Sequence, residues 1–214
     1  MTAAVVNPFP VHPLPDSGIH ARPRADMVDH AIGDAELVAA AQAGDRVAEE
    51  TIYRRHVQYV AGLVLRLLRD RCETEDVVQD TFLTAFEQLR ALRDGGALRG
   101  WLSQIGVNQV RRRLRRRRLR RLLGLDQPQD DVGMAELASP GQSPEVVAEL
   151  GKLDRVLLKL PDEHRIAWVI RYIEGASLDE VALACGCSLA TVKRWIASAD
   201  SVVRLHVTLK EGGT

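Results

Sequence analysis

From residue 34 onward, apolar residues recur at spacings of three and four, the period of helices with one buried face. "AELVAAAQA" predicts a first helix, capped by Asp34 and stopped by Gly44. A longer helix is predicted from about Arg46 to Arg69, with Tyr53, Val57, Val60, Val64 and Leu67 on one face. A third runs through "TEDVVQDTFLTAFEQLRAL", with Thr74 as cap, Glu75 and Asp76 in its first turn, and Val78, Phe82, Phe86 and Leu89 inward. After the break at Asp94-Gly95-Gly96, a fourth helix starts near Leu98 and turns Trp101, Leu102 and Ile105 toward the core.

Where this period fails, the chain divides. Residues 1–33 hold five of the nine prolines and read as a disordered extension, with Met27 as an alternative start. Residues 123–144, "LGLDQPQDDVGMAELASPGQSP", read as a flexible acidic Pro/Gly linker, and residues 209–214 as a tail. The expected architecture is therefore all-α, with helical domains over 34–122 and 145–208.

The second domain carries the sharper local signal. In "GASLDEVALACGCSLATVKRWIASADSVVRL", Ser177 and Glu180 make a capping box opening a short helix, with Val181 and Ala184 inward. Gly186 supplies a tight turn, and Ser188 caps a second helix with Val192, Ile196, Ala199 and Val203 as its buried stripe. That leaves Leu189, Ala190, Lys193, Arg194 and Ala197 outward, as on the recognition helix of a helix-turn-helix in the major groove. Pro161 suits the first position of a supporting helix, and Trp168 reads as core.

Charge changes the picture of the first domain. The chain balances 29 Lys+Arg against 29 Asp+Glu, yet nine of the eleven residues from Arg111 to Arg121 are arginine, which leaves the remainder at −9. Arginine without lysine suits bidentate contacts to phosphate, so nucleic acid is the expected ligand. Nothing predicts an enzyme: the six His are scattered and no Ser/His/Asp set, HExxH or Gly-rich phosphate loop occurs. No cofactor or metal is expected. Cys185-Gly-Cys187 is too close for a usual zinc pair and reads as small turn residues, and three cysteines suit a reducing cytoplasm. No apolar run reaches membrane-span length.

The segments "AELVAAAQAGDRVAEETIYRRH", "EDVVQDTFLTAFEQL" and "LRGWLSQIGVNQVRRRLRRRR", followed by the helix-turn-helix, resemble bacterial RNA polymerase sigma factors of the extracytoplasmic-function (ECF) group. The resemblance covers residues 34–121 and 145–206. It implies a cytoplasmic factor that binds core polymerase, through the β′ clamp helices and the β flap, and directs it to promoter DNA. An anti-sigma factor is often a further partner in this group. Asp76, Gln79 and Asp80 match the clamp-docking surface. Arg99, Asn108, Arg111, Arg112 and Arg113 match the segment that reads the −10 element, with a base pocket expected near residues 94–98. Arg115, Arg116, Arg117 and Arg118 continue that helix and are expected to anchor phosphates without reading sequence. Ser188, Leu189, Ala190, Thr191, Lys193 and Arg194 match the −35-reading helix.

The chain departs from the family where arginines are common, carrying Trp195, Ser198 and Asp200, and also at Arg112 and Glu49. Either −35 binding is weak and the arginine block compensates, or Trp195 and Arg194 read an atypical element. Asp200 would repel the DNA backbone if it faced it. Two rivals are a stand-alone helix-turn-helix regulator, which leaves "EDVVQDTF" unexplained, and an RNA-binding protein using the arginine helix.

Overall fold

A computed structural model of the chain describes residues 32–125, 132–133 and 143–208. The proline-rich segment up to residue 31, most of the linker and the tail lie outside these. Among the described residues eight α-helices follow in order: α1 (Asp34–Gln42), α2 (Arg46–Leu68), α3 (Arg71–Gln88), α4 (Leu98–Leu122), α5 (Pro144–Leu157), α6 (Asp162–Trp168), α7 (Leu178–Cys185) and α8 (Leu189–Thr208). No described helix is long and apolar enough to cross a membrane.

Helices α1–α4 enclose the first core around Ile52, Val60, Val64, Leu67, Val77, Phe82, Leu102 and Val110, all buried. Tyr53, Val57, Phe86 and Trp101, expected in the apolar stripes, are only half-buried at its rim. Asp34 does not cap α1; Gly33 occupies that position, and the Asp34 carboxylate instead takes Arg55 at 2.8 Å and meets His56 at 3.1 Å on α2.

The start of α3 also differs from expectation. Arg69 enters the left-handed region at φ 59° and closes α2, and Asp70 then caps α3 by accepting the Glu73 N–H at 2.9 Å. Thr74 is buried one turn inside, its hydroxyl donating to the Asp70 carbonyl. Both residues are good caps, and Asp70 prevails because its second oxygen also accepts from Arg117 of α4.

Between α3 and α4, Asp94 caps a single 3-10 turn, Gly95–Ala97, by accepting the Gly96 N–H. Here glycine is required: a Cβ on Gly95 would stand 2.6 Å from the Ala35 Cα of α1.

Helices α5–α8 build the second core around Leu157, Ile166, Trp168, Ile170, Val181, Val192, Ile196 and Ala199. Pro161 sits one residue ahead of α6 rather than in its first position, and α6 ends in a wide π-turn over Val169–Ile173. The Ser177/Glu180 capping box forms in both directions and Gly186 takes φ 60° at the turn.

The two bundles are in direct contact. Helix α7 packs along α4, where Gly100 admits the Leu183 side chain. Val132 is buried and donates its N–H to the Arg69 carbonyl at 2.9 Å, so the connection returns to the end of α2 before entering α5.

Candidate nucleic-acid interface

Asp76, Gln79 and Asp80 lie on the exposed side of α3, opposite buried Val77, Val78 and Phe82. They form one acidic, hydrogen-bonding patch at i, i+3, i+4 spacing. Arg113 of α4 stands beside it, 3.6 Å from Asp76 and 3.7 Å from Asp80. Both distances exceed hydrogen-bond length, which leaves a Coulombic contact in a solvated setting.

Helix α4 divides its polar residues among different faces. Asn108 and Arg112 are exposed, and the Asn108 Oδ1 accepts from Arg111 at 3.3 Å. Arg99 is exposed with its guanidinium 4.0 Å above the Tyr59 ring, and the Tyr59 hydroxyl meets the Ser103 hydroxyl at 2.8 Å. This cation–π contact pre-orients the charge. Tyr59 belongs with these residues, although spacing alone marks it only as one more side chain on α2.

The arginine block is not uniform. Arg115, Arg116 and Arg118 are exposed, whereas the Arg117 side chain is only 12% exposed. Arg117 donates to the Leu68 carbonyl at 2.8 Å and to Asp70 at 3.1 Å, and pairs with Glu73 at 3.1 Å. The expectation that Arg117 anchors phosphate is therefore corrected: both its terminal nitrogens are committed to the ends of α2 and α3. Arg111 is also engaged, its Nε donating to Glu163 of α6 at 2.9 Å.

On α8, Ser188 accepts the Thr191 N–H at 3.2 Å. Leu189, Ala190, Lys193 and Arg194 are exposed and Thr191 is half-exposed, so this face is open to a groove. Of the departures from the expected arginines, Ser198 is exposed, whereas Asp200 and Trp195 engage neighbouring side chains. Asp200 accepts from Trp168 Nε1 and from the Tyr172 hydroxyl, each at 3.0 Å. Trp195 is half-buried, its ring 6.2 Å from that of His164. Asp200 thus satisfies a buried indole.

Two further arginine–carboxylate pairs join the bundles: Arg66 with Glu174 at 2.7 Å and Arg69 with Asp154 at 3.0 Å. Single-sequence reasoning has no signal for them, because partners 108 and 85 residues apart share no local period.

Among the described residues no group of three or more His, Cys, Asp or Glu is placed to hold a metal. Burial pushes the Cys185 thiol up to about 12, so it stays protonated and inert.

The sigma-70 region 2 family matches residues 52–120 and the sigma-70 region 4 family matches residues 150–199. The chain is 32% identical over 170 residues to the ECF RNA polymerase sigma factor SigM of Mycobacterium tuberculosis, covering 79% of this chain and 82% of SigM. It is 33% identical over 177 residues to the RNA polymerase sigma factor NccH of Alcaligenes xylosoxydans xylosoxydans, covering 81% and 93%. Among solved structures it resembles CnrH in complex with the cytosolic domain of CnrY, at 26% identity and TM-score 0.59, covering 85% of this chain and 99% of that one.

Proposed function

This chain belongs to the ECF group of sigma-70 RNA polymerase sigma factors, and we propose on that footing how its surfaces divide promoter recognition. As a sigma factor it binds core RNA polymerase and directs it to promoter DNA, a role in binding rather than in bond chemistry. In our reading Asp76, Gln79 and Asp80 of α3 dock on the β′ clamp helices. Arg99, Asn108, Arg112 and Arg113 of α4, with Arg111 when it is released from Glu163, hold the −10 strand. Arg115, Arg116 and Arg118 anchor phosphates beyond it, without reading sequence. The outer face of α8, from Ser188 to Arg194, enters the major groove at the −35 element. We assign these events, and with them the protein, to the cytoplasm. A further protein partner is supported by CnrH having been solved in complex with the cytosolic domain of CnrY.

The observation that carries this reading is one chain presenting an exposed acidic α3 face, an exposed basic α4 face and a capped helix-turn-helix. Binding to purified bacterial core polymerase, followed by fluorescence anisotropy, tests it. The wild-type protein is expected to form a tight one-to-one complex, and Gln79→Ala/Asp80→Ala, with unchanged helical content, to lose it. Absence of a complex with folded wild type, alongside intact DNA binding, would point to a stand-alone regulator.

A further inference from the structure

Arg99 is held differently from the arginines farther along α4. Arg111, Arg113 and Arg117 each meet a carboxylate. Among the described residues Arg99 makes no hydrogen bond or ion pair, and its one close partner is an aromatic ring. The guanidinium carbon lies 4.0 Å from the centre of the Tyr59 ring, and the residue is exposed. One side of the cation therefore rests on tyrosine, while the other side and the N–H edges are open to solvent. Glu180 of α7, whose carboxylate feels the charge of Arg99, is committed to the Ser177 N–H at 2.7 Å.

The ring under Arg99 is fixed by a short chain of hydroxyls. Ser103 is buried one turn along α4, and its single proton is donated to the Arg99 carbonyl at 2.8 Å. The 2.8 Å contact between the Tyr59 and Ser103 hydroxyls is then a donation from tyrosine. Tyr59 is thus tied to α2 by its backbone and to α4 by its hydroxyl, and the residue reached through Ser103 is Arg99 itself. An exposed cation–π contact favours the seated guanidinium by a factor of about two to five. A ligand arriving at the open side meets an arginine already in place.

A guanidinium seated in this way offers a flat and weakly hydrated face. The chemistry that fits such a face is a second π-system, and in a nucleic acid that is a base. Within a duplex both faces of a base are covered by its neighbours, so only a base freed from the stack can take the position. The N–H edges stay available to the adjoining phosphate.

We infer that Arg99 is a stacking platform for one unpaired nucleobase, which closes a three-layer stack of base, guanidinium and Tyr59 ring, and that Tyr59 is its positioning residue. This inference rests on the proposed assignment of Arg99 to the −10 strand. It adds that the contact is made to a base, and only once the strands have separated.

Fluorescence anisotropy of the full chain with a fluorescein-labelled single strand of twelve thymidylates tests the stack. A duplex and an abasic backbone of the same length serve as references. Arg99→Lys keeps the charge and loses the flat face. It is expected to bind the single strand about three- to tenfold more weakly than wild type. Its affinity for both references, and the slope of log affinity against log salt, should not change. Tyr59→Leu, at unchanged helical content, is expected to show the same selective loss, and Tyr59→Phe, which keeps the ring, a smaller one. Tyr59→Leu/Arg99→Lys should be no weaker than Arg99→Lys alone, because Tyr59 acts through Arg99. An Arg99→Lys variant that matches wild type, or that weakens equally on all three probes, would overturn the stack. If Arg99→Lys matches wild type and Arg99→Ala is weaker on every probe, a point charge on phosphate suffices: the stack fails and the assignment of Arg99 to DNA stands. If Arg99→Ala also binds as wild type does, both fail.

Discussion

Asp200 shows how a residue's meaning depends on the direction it faces. In the sequence it reads as a repulsive charge toward DNA. In the structure it accepts from Trp168 and Tyr172 and fixes α8 against the end of α6. Asp200→Ala is expected to cost about 1–2 kcal/mol, because a buried indole N–H loses its acceptor; urea unfolding measures it, with the Lys193 face of α8 unaffected. His56 is a second case. Burial holds its pKa below 6.5, outweighing the nearby Asp34 carboxylate of α1; Arg55 on the same helix and Arg99 of α4 push the same way as burial. The unfolded chain therefore binds the proton more readily than the folded one. Stability is complete above about pH 6.5 and declines as pH falls toward the folded-state value. Denaturant midpoints at pH 7 and pH 5 should separate further in wild type than in His56→Gln.

At the level of elements, α4 is one continuous helix with three separate jobs along its faces. Val107 and Val110 enter the core, Arg111 meets α6, and Arg117 ties down the junction of α2 and α3. Arg117→Ala should cost about 2–4 kcal/mol, since the second Asp70 oxygen, Glu73 and the Leu68 carbonyl all lose their guanidinium partner. Arg117→Gln should leave the salt dependence of DNA binding unchanged. Replacing Arg115, Arg116 and Arg118 by Gln should instead reduce the slope of log affinity against log salt by about 2 to 3, one released counterion for each lost phosphate contact. Titration between low and moderate salt separates the two. The helical period placed α4 and the capping box placed α7, because both signals are local and repeat every three or four residues. The split within the arginine block was not legible, because nine identical letters do not say which ones meet Asp70, 47 residues earlier. The cap of α3 was misread for a similar reason: Asp70 and Thr74 are both competent, and the choice is made by a guanidinium from another helix.

At the scale of the whole molecule, two bundles expected to hang on a tether are found packed together. The expectation came from composition, which describes a linker well and says nothing about what its two ends do when they meet. Arg69 is where they meet. It ends α2, offers its carbonyl to Val132 and its guanidinium to Asp154. A chain of the eighteen steps from Leu125 to Ser143 can span at most about 65 Å; from Val132 the eleven steps that remain span at most about 40 Å. The hydrogen bond at Val132 thus works as a knot tied partway along a leash. While it holds, α5 cannot begin farther than that shorter length from Val132, and the reach of the second bundle is set by one backbone N–H.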